Sequence, residues 1–69
     1  MEIYQLIAQY RDMSGMSQIE AAKELSITPS ALSKYENNNA QISIKMFVQM
    51  CKIYGIPKDV FINALLHPE

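Results

Sequence analysis

Two residues, Ser26 and Ile27, separate the end of one helical pattern from the start of the next, and this spacing constrains the fold more than any other feature. Upstream, Ser17-Gln18-Ile19-Glu20 is a capping box: the Ser17 hydroxyl can accept the Glu20 backbone N–H, and the Glu20 carboxylate can reach back. The helix it opens runs through Ala21, Ala22 and Leu25. Downstream, Thr28 is a good N-cap, and Pro29 suits the first helical position, where a missing N–H costs nothing. That helix carries Ala31, Leu32 and Tyr35. So short a joint makes the two helices cross steeply instead of lying antiparallel, which is helix-turn-helix geometry. Small Ala22 sits where the helices must approach closely, and Leu25, Ile27 and Leu32 would pin the pair to its neighbours. Any small helical bundle can contain a tight corner of this kind, so spacing alone leaves the role of the corner open.

The remaining pattern is helical too. Ile3, Leu6, Ile7 and Tyr10 fall at i, i+3, i+4 and i+7, Met13 extends the stripe, and Gly15 stops the helix. Asn37-Asn38-Asn39 ends the third helix, because Asn tolerates left-handed backbone geometry better than any residue except glycine. Ser43 caps a fourth helix, Ile44 to Tyr54, which Gly55 terminates. Pro57 opens a fifth, through Val60, Phe61, Leu65 and Leu66, before Pro68. No segment alternates apolar and polar residues for long enough to form a half-buried strand. The expectation is an all-α single domain over residues 1–69; Met1 and Pro68-Glu69 read as natural chain ends, against the alternative that the chain is one end of a longer protein.

Composition narrows the functional classes. At 69 residues there is room for one core only, with 49% hydrophobic and 19% charged residues. No apolar run is longer than three residues (Ala64-Leu65-Leu66 is one), so no span crosses a bilayer. The opening Met1-Glu2-Ile3-Tyr4-Gln5 is acidic and amphipathic and does not read as a secretory leader, so the expectation is a cytoplasmic protein. One cysteine, Cys51, and one histidine, His67, cannot build a structural zinc site or a histidine-dependent triad. Catalysis, a cofactor, a metal and a small-molecule ligand are therefore not expected. Six Lys+Arg against seven Asp+Glu give a net charge of -1, which lends no electrostatic support to nucleic-acid binding.

Three stretches point the other way: Met16-Ser17-Gln18-Ile19-Glu20-Ala21-Ala22, Ile27-Thr28-Pro29-Ser30-Ala31-Leu32-Ser33-Lys34-Tyr35-Glu36-Asn37, and Gly55-Ile56-Pro57-Lys58-Asp59-Val60-Phe61. Together they resemble the lambda-repressor-like, Cro/C1 (Xre) family of helix-turn-helix domains, in register from roughly Leu6 to Leu66. The resemblance implies a five-helix lambda-repressor-like DNA-binding domain with the helix-turn-helix at helices two and three, about residues 17–36. Its third helix would enter the major groove of double-stranded DNA, usually as a dimer on a two-fold site.

Carried over position by position, the resemblance assigns roles. Pro29, Ser30, Ser33 and Lys34 would read bases from the exposed face and tip of the third helix. Lys34 could donate to guanine, and the two serines could bond almost any base edge or simply be solvated. Pro29 stands where many relatives carry a polar reader, and can only pack, for example against a thymine methyl. Gln18 matches a glutamine that contacts the DNA backbone in the family, at a helix start that favours phosphate. Thr28 would reach phosphate as well, as would Asn37, Asn38 and Asn39 in the following loop and Lys45 in the fourth helix. That loop, with Gln41, reads equally well as a plain polar connection. Neutral amides displace few counterions, so affinity there should fall gently with salt. Ser26 and Asn38 stand where glycine is common in the family. Arg11 and Glu36 match a structural salt bridge between helix one and the end of helix three, and Tyr35 and Leu32 read as core.

Helices four and five carry more apolar residues than one core face needs. Phe47, Cys51 and Tyr54 form an inner stripe, with Cys51 a small buried hydrophobe, and Met46, Met50 and Ile53 form a second stripe beside it. With Phe61, Ile62, Leu65 and Leu66, that second stripe would build a homodimer interface, unless these residues merely wrap the core. The leading expectation is a sequence-specific DNA-binding transcriptional regulator, a dimeric repressor on a palindromic operator. The alternative is a helix-turn-helix protein-interaction module, antitoxin-like or anti-repressor, with a protein partner and little DNA binding.

Overall fold

Three hydroxyls fix where three helices begin. Ser17, Thr28 and Ser43 each accept the backbone N–H three residues on, at 3.1 Å in every case, and each such cap is worth about 1 kcal/mol. In the computed structural model, which describes residues 2–67, they open α2 (Gln18–Glu24), α3 (Pro29–Glu36) and α4 (Ile44–Tyr54). The Glu20 carboxylate answers Ser17 by accepting its N–H at 2.9 Å, completing the capping box. That bond holds Glu20 below the usual carboxylate range. α1 (Ile3–Met13) starts after Glu2, whose N–H donates to Gln5 Oε1 at 3.0 Å. α5 (Lys58–Leu66) has no side-chain cap; Pro57 sits one residue ahead of it, at the cap, instead of at the first helical position.

Four helix ends close in the same way. Gly15, Ser26, Asn38 and Gly55 adopt the left-handed conformation, with φ of 79°, 59°, 60° and 70°. In each case the next N–H reaches back five residues along the chain. Met16 donates to Arg11 (3.4 Å), Ile27 to Ala22 (2.9 Å), Asn39 to Lys34 (2.8 Å) and Ile56 to Cys51 (3.0 Å). This closure satisfies carbonyls that would otherwise be orphaned at the helix end. Two of the four positions are not glycine, so the α2–α3 joint at Ser26 and the α3 exit at Asn38 carry a steric cost.

The core forms where the helices' inward faces meet. Ile7, Leu32, Phe47 and Met50 are its largest fully enclosed side chains, and Ala21 and Ala22 of α2 are enclosed completely. α3 packs on α2 and α1, and α4 on α1. The Phe47 and Phe61 rings, 5.1 Å apart and tilted by 40°, fasten α5 to α4. No strand occurs among the described residues, and no helix there is long and apolar enough to cross a membrane. Met1, Pro68 and Glu69, read from sequence as chain ends, lie outside the described residues.

Three sequence expectations about apolar residues need correction. Met50, assigned to a dimer surface, is 0% exposed and belongs to the core. Phe47, Met50 and Tyr54, at i, i+3 and i+7, make up α4's inward stripe, and Cys51 falls to its half-buried edge. Met13 does not extend α1's buried stripe; it is 67% exposed, because the chain turns away at Gly15 immediately beyond it.

Candidate nucleic-acid interface

The α3 helix presents two different surfaces. Leu32 is fully buried and Ala31 and Tyr35 are half-buried, while Thr28, Pro29, Ser30 and Lys34 are exposed. The exposed group occupies the N-terminal tip and one flank, where a helix lying in a groove presents side chains to base edges. The side chains of Ser30 and Lys34 make no hydrogen bond to another described residue, so their polar groups face water and are available to a ligand. The Thr28 hydroxyl oxygen is engaged as the α3 cap, accepting from Ala31, but its own hydrogen remains to be donated.

Ser33 differs from its neighbours. It is half-buried, and the Asn37 side-chain amide donates both to its carbonyl (2.9 Å) and to its hydroxyl (3.2 Å). Asn37 is thereby folded back along α3 and is not extended into the loop. Asn38 and Asn39 are exposed, with Asn38 holding the left-handed position and Asn39 closing the helix through its backbone. Lys45 is exposed in the first turn of α4, after the loop.

One carboxylate joins three helices behind this face. Glu36, at the end of α3, is 9% exposed and accepts from Arg11 Nε at 2.7 Å and Arg11 Nη2 at 3.1 Å. It also accepts from Gln18 Nε2 at 2.9 Å. The hydrogen bond to Glu36 raises the Arg11 pKa further above its ordinary value. Arg11 Nη1 donates in addition to the Met16 carbonyl at 2.8 Å, so the same guanidinium pins the α1–α2 turn. Gln18 is therefore half-buried and directed toward Glu36, with one amide hydrogen committed and one left for an outside acceptor. Residue types carried no sign of the Met16 contact, since its acceptor is backbone, nor of the Gln18–Glu36 bond between residues 18 apart in sequence.

The apolar residues expected at a dimer face divide into three groups. Met50 is core. Met46, Ile53 and Phe61 are half-buried and packed against that core. Ile62 (45%), Leu65 (40%) and Leu66 (69%) stand exposed along α5. Near the Arg11–Glu36 pair, the Tyr54 hydroxyl is buried without a hydrogen-bond partner among the described residues. Burial above all, with the Glu36 charge adding to it, pushes its pKa up to about 12. No group of three His, Cys, Asp or Glu among the described residues could hold a metal ion.

Residues 7–61 match the family model described as helix-turn-helix. No curated protein and no solved structure matches the chain.

Proposed function

The chain belongs to the Cro/C1-type helix-turn-helix family of DNA-binding domains, and on that footing we propose that it is a sequence-specific regulator of transcription acting on double-stranded DNA. Its five helices have the lambda-repressor-like arrangement, and the family is a DNA-binding rather than an enzymatic one. The observation that carries the proposal is the division of α3, with Leu32 sealed in the core and Thr28, Pro29, Ser30 and Lys34 exposed.

In this reading the 69 residues act as one cytoplasmic domain and α3 lies in the major groove. Lys34 donates to guanine O6 or N7, Ser30 bonds a base edge, and Pro29 packs on a thymine methyl. Ser33, held by Asn37, has less freedom to reach a base and tunes the helix face instead. Gln18 offers its uncommitted amide hydrogen to a phosphate, and Thr28, Asn37, Asn38, Asn39 and Lys45 line the backbone beside it. A homodimer built on Ile62, Leu65 and Leu66, with the flanks of Met46, Ile53 and Phe61, places two α3 helices about 34–36 Å apart on a palindromic operator. Repression follows from excluding polymerase.

Selection from a randomised duplex DNA pool at near-physiological salt tests this reading. Enrichment of a two-fold-symmetric motif is the expected result. No enrichment would overturn it and favour the second reading, a helix-turn-helix module that binds a protein. The net charge of -1 is the observation on that side.

A further inference from the structure

The flank of α4 carrying Val48, Cys51 and Lys52 faces the start of α5, and between them lies an open groove of about 400 Å³. Val48, Cys51, Ile56 and Phe61 supply apolar lining; Lys52 and Lys58 complete it, and no acidic residue takes part. Both lysines are exposed. Asp59 follows Lys58 in sequence but is one helical step, about 100°, further round α5. Burial pushes the Cys51 thiol up to about 11, so at neutral pH it adds polarizable apolar surface to the groove and no charge.

We infer that this groove is a docking site for an acidic segment of a second protein that lays an apolar face between α4 and α5 while its carboxylates meet Lys52 and Lys58. Two other occupants fit the lining less well. A second copy joined with the groove on the two-fold axis would bring each groove against itself, and with it lysine against lysine. A DNA backbone would meet the two lysines but would leave Val48, Cys51, Ile56 and Phe61 against phosphate and sugar, with no apolar partner. An amphipathic acidic helix satisfies both parts of the surface at once. Of the residues proposed for self-association, only Phe61 also lines this groove, so the site extends beyond the dimer face.

The test uses the full chain, isotope-labelled for NMR, and two synthetic helical peptides that share one leucine face. One peptide has glutamates flanking that face and the other has lysines. The expected result is amide shifts centred on Val48, Cys51, Lys52 and Phe61 with the glutamate peptide, bound at least tenfold more tightly than the lysine peptide. Lys52→Glu with Lys58→Glu should reverse the ranking, and Lys52→Gln with Lys58→Gln, the milder pair, should abolish it. Equal binding of the two peptides would overturn the inference, as would shifts centred on Ile62 and Leu66. A loss of DNA affinity in the charge-reversed variant matching its loss of peptide affinity would also overturn it, by making the groove an edge of the DNA surface. The peptide measurements need no DNA, so their failure is distinct from failure of the selection experiment.

Discussion

Gln18 Nε2 donates to Glu36 Oε1 at 2.9 Å, which ties the first residue of α2 to the last residue of α3. The same carboxylate holds Arg11 of α1 through two nitrogens. The crossing angle of the helix-turn-helix is thus braced at its open end as well as at its two-residue joint.

Loss of the Arg11 guanidinium leaves Glu36 a nearly buried, half-satisfied charge. Arg11→Leu should cost about 3–5 kcal/mol, the range for breaking a buried ion pair from one side. Urea denaturation of the two proteins measures it. A loss below about 1 kcal/mol would mean that water reaches Glu36 freely and the brace is weak.

Ser26 holds a left-handed φ of 59° without being glycine. Ser26→Gly should therefore stabilise the domain by about 1 kcal/mol, a rise of about 4–8 °C in Tm for a domain of this size. Ser26→Val should destabilise it, since a β-branched residue is the worst tenant of that region. Thermal melts of the pair decide the point; an unchanged Tm for the glycine variant would show that the joint is not strained.

On the DNA face, Lys34→Ala and Lys45→Ala should fail differently. The first should cost about 1–3 kcal/mol on the selected operator and relax preference at one base pair. The second should weaken all sequences alike and reduce the salt slope by about 1. Gln18→Ala should also weaken all sequences alike, but with the salt slope unchanged, because a neutral amide displaces no counterion. Binding isotherms at several salt concentrations, on operator and on scrambled duplex, separate the two classes.

The Tyr54 hydroxyl has no partner among the described residues, so Tyr54→Phe should leave stability unchanged or raise it slightly. Alkaline behaviour gives a second readout. The folded-state values of Tyr54 (about 12) and Cys51 (about 11) lie above their ordinary values of 10.0 and 9.0, so the fold prefers both groups protonated. Their contribution is complete below pH 9 and is lost as pH rises through 11 and 12. Denaturant midpoints at pH 8 and pH 11 should therefore converge in Tyr54→Phe relative to the parent chain. A variant that loses more than about 1 kcal/mol at pH 8 would reveal a bonded hydroxyl.

How much of this was legible before any coordinates depends on how far apart the interacting groups lie. The Ser17–Glu20 box, the Thr28-Pro29 start and the glycine stops at Gly15 and Gly55 act within a few residues, and residue types alone locate them. The assignment of Met50 failed because Met50 and Cys51 are adjacent in sequence and straddle the same face of α4; packing against α1, not periodicity, decides which turns inward. The Gln18–Glu36 bond was missed for a related reason. A glutamine side chain advertises that it can donate, but its acceptor is set by where another helix happens to end.

The split surface of α3 also bears on how such a protein changes its target. Thr28, Pro29, Ser30 and Lys34 project outward, and Leu32 alone on this helix is apolar and fully enclosed. On the proposed DNA reading, reading residues and structural residues are thus almost disjoint sets, with Thr28, which also caps α3, and Ser33, held by Asn37, tied to both. If α3 reads DNA as proposed, substitution at 29, 30 or 34 should redirect the domain to a different operator at little cost in stability, while lengthening the joint at Ser26-Ile27 would disturb every position at once. New specificity would then be accessible one side chain at a time.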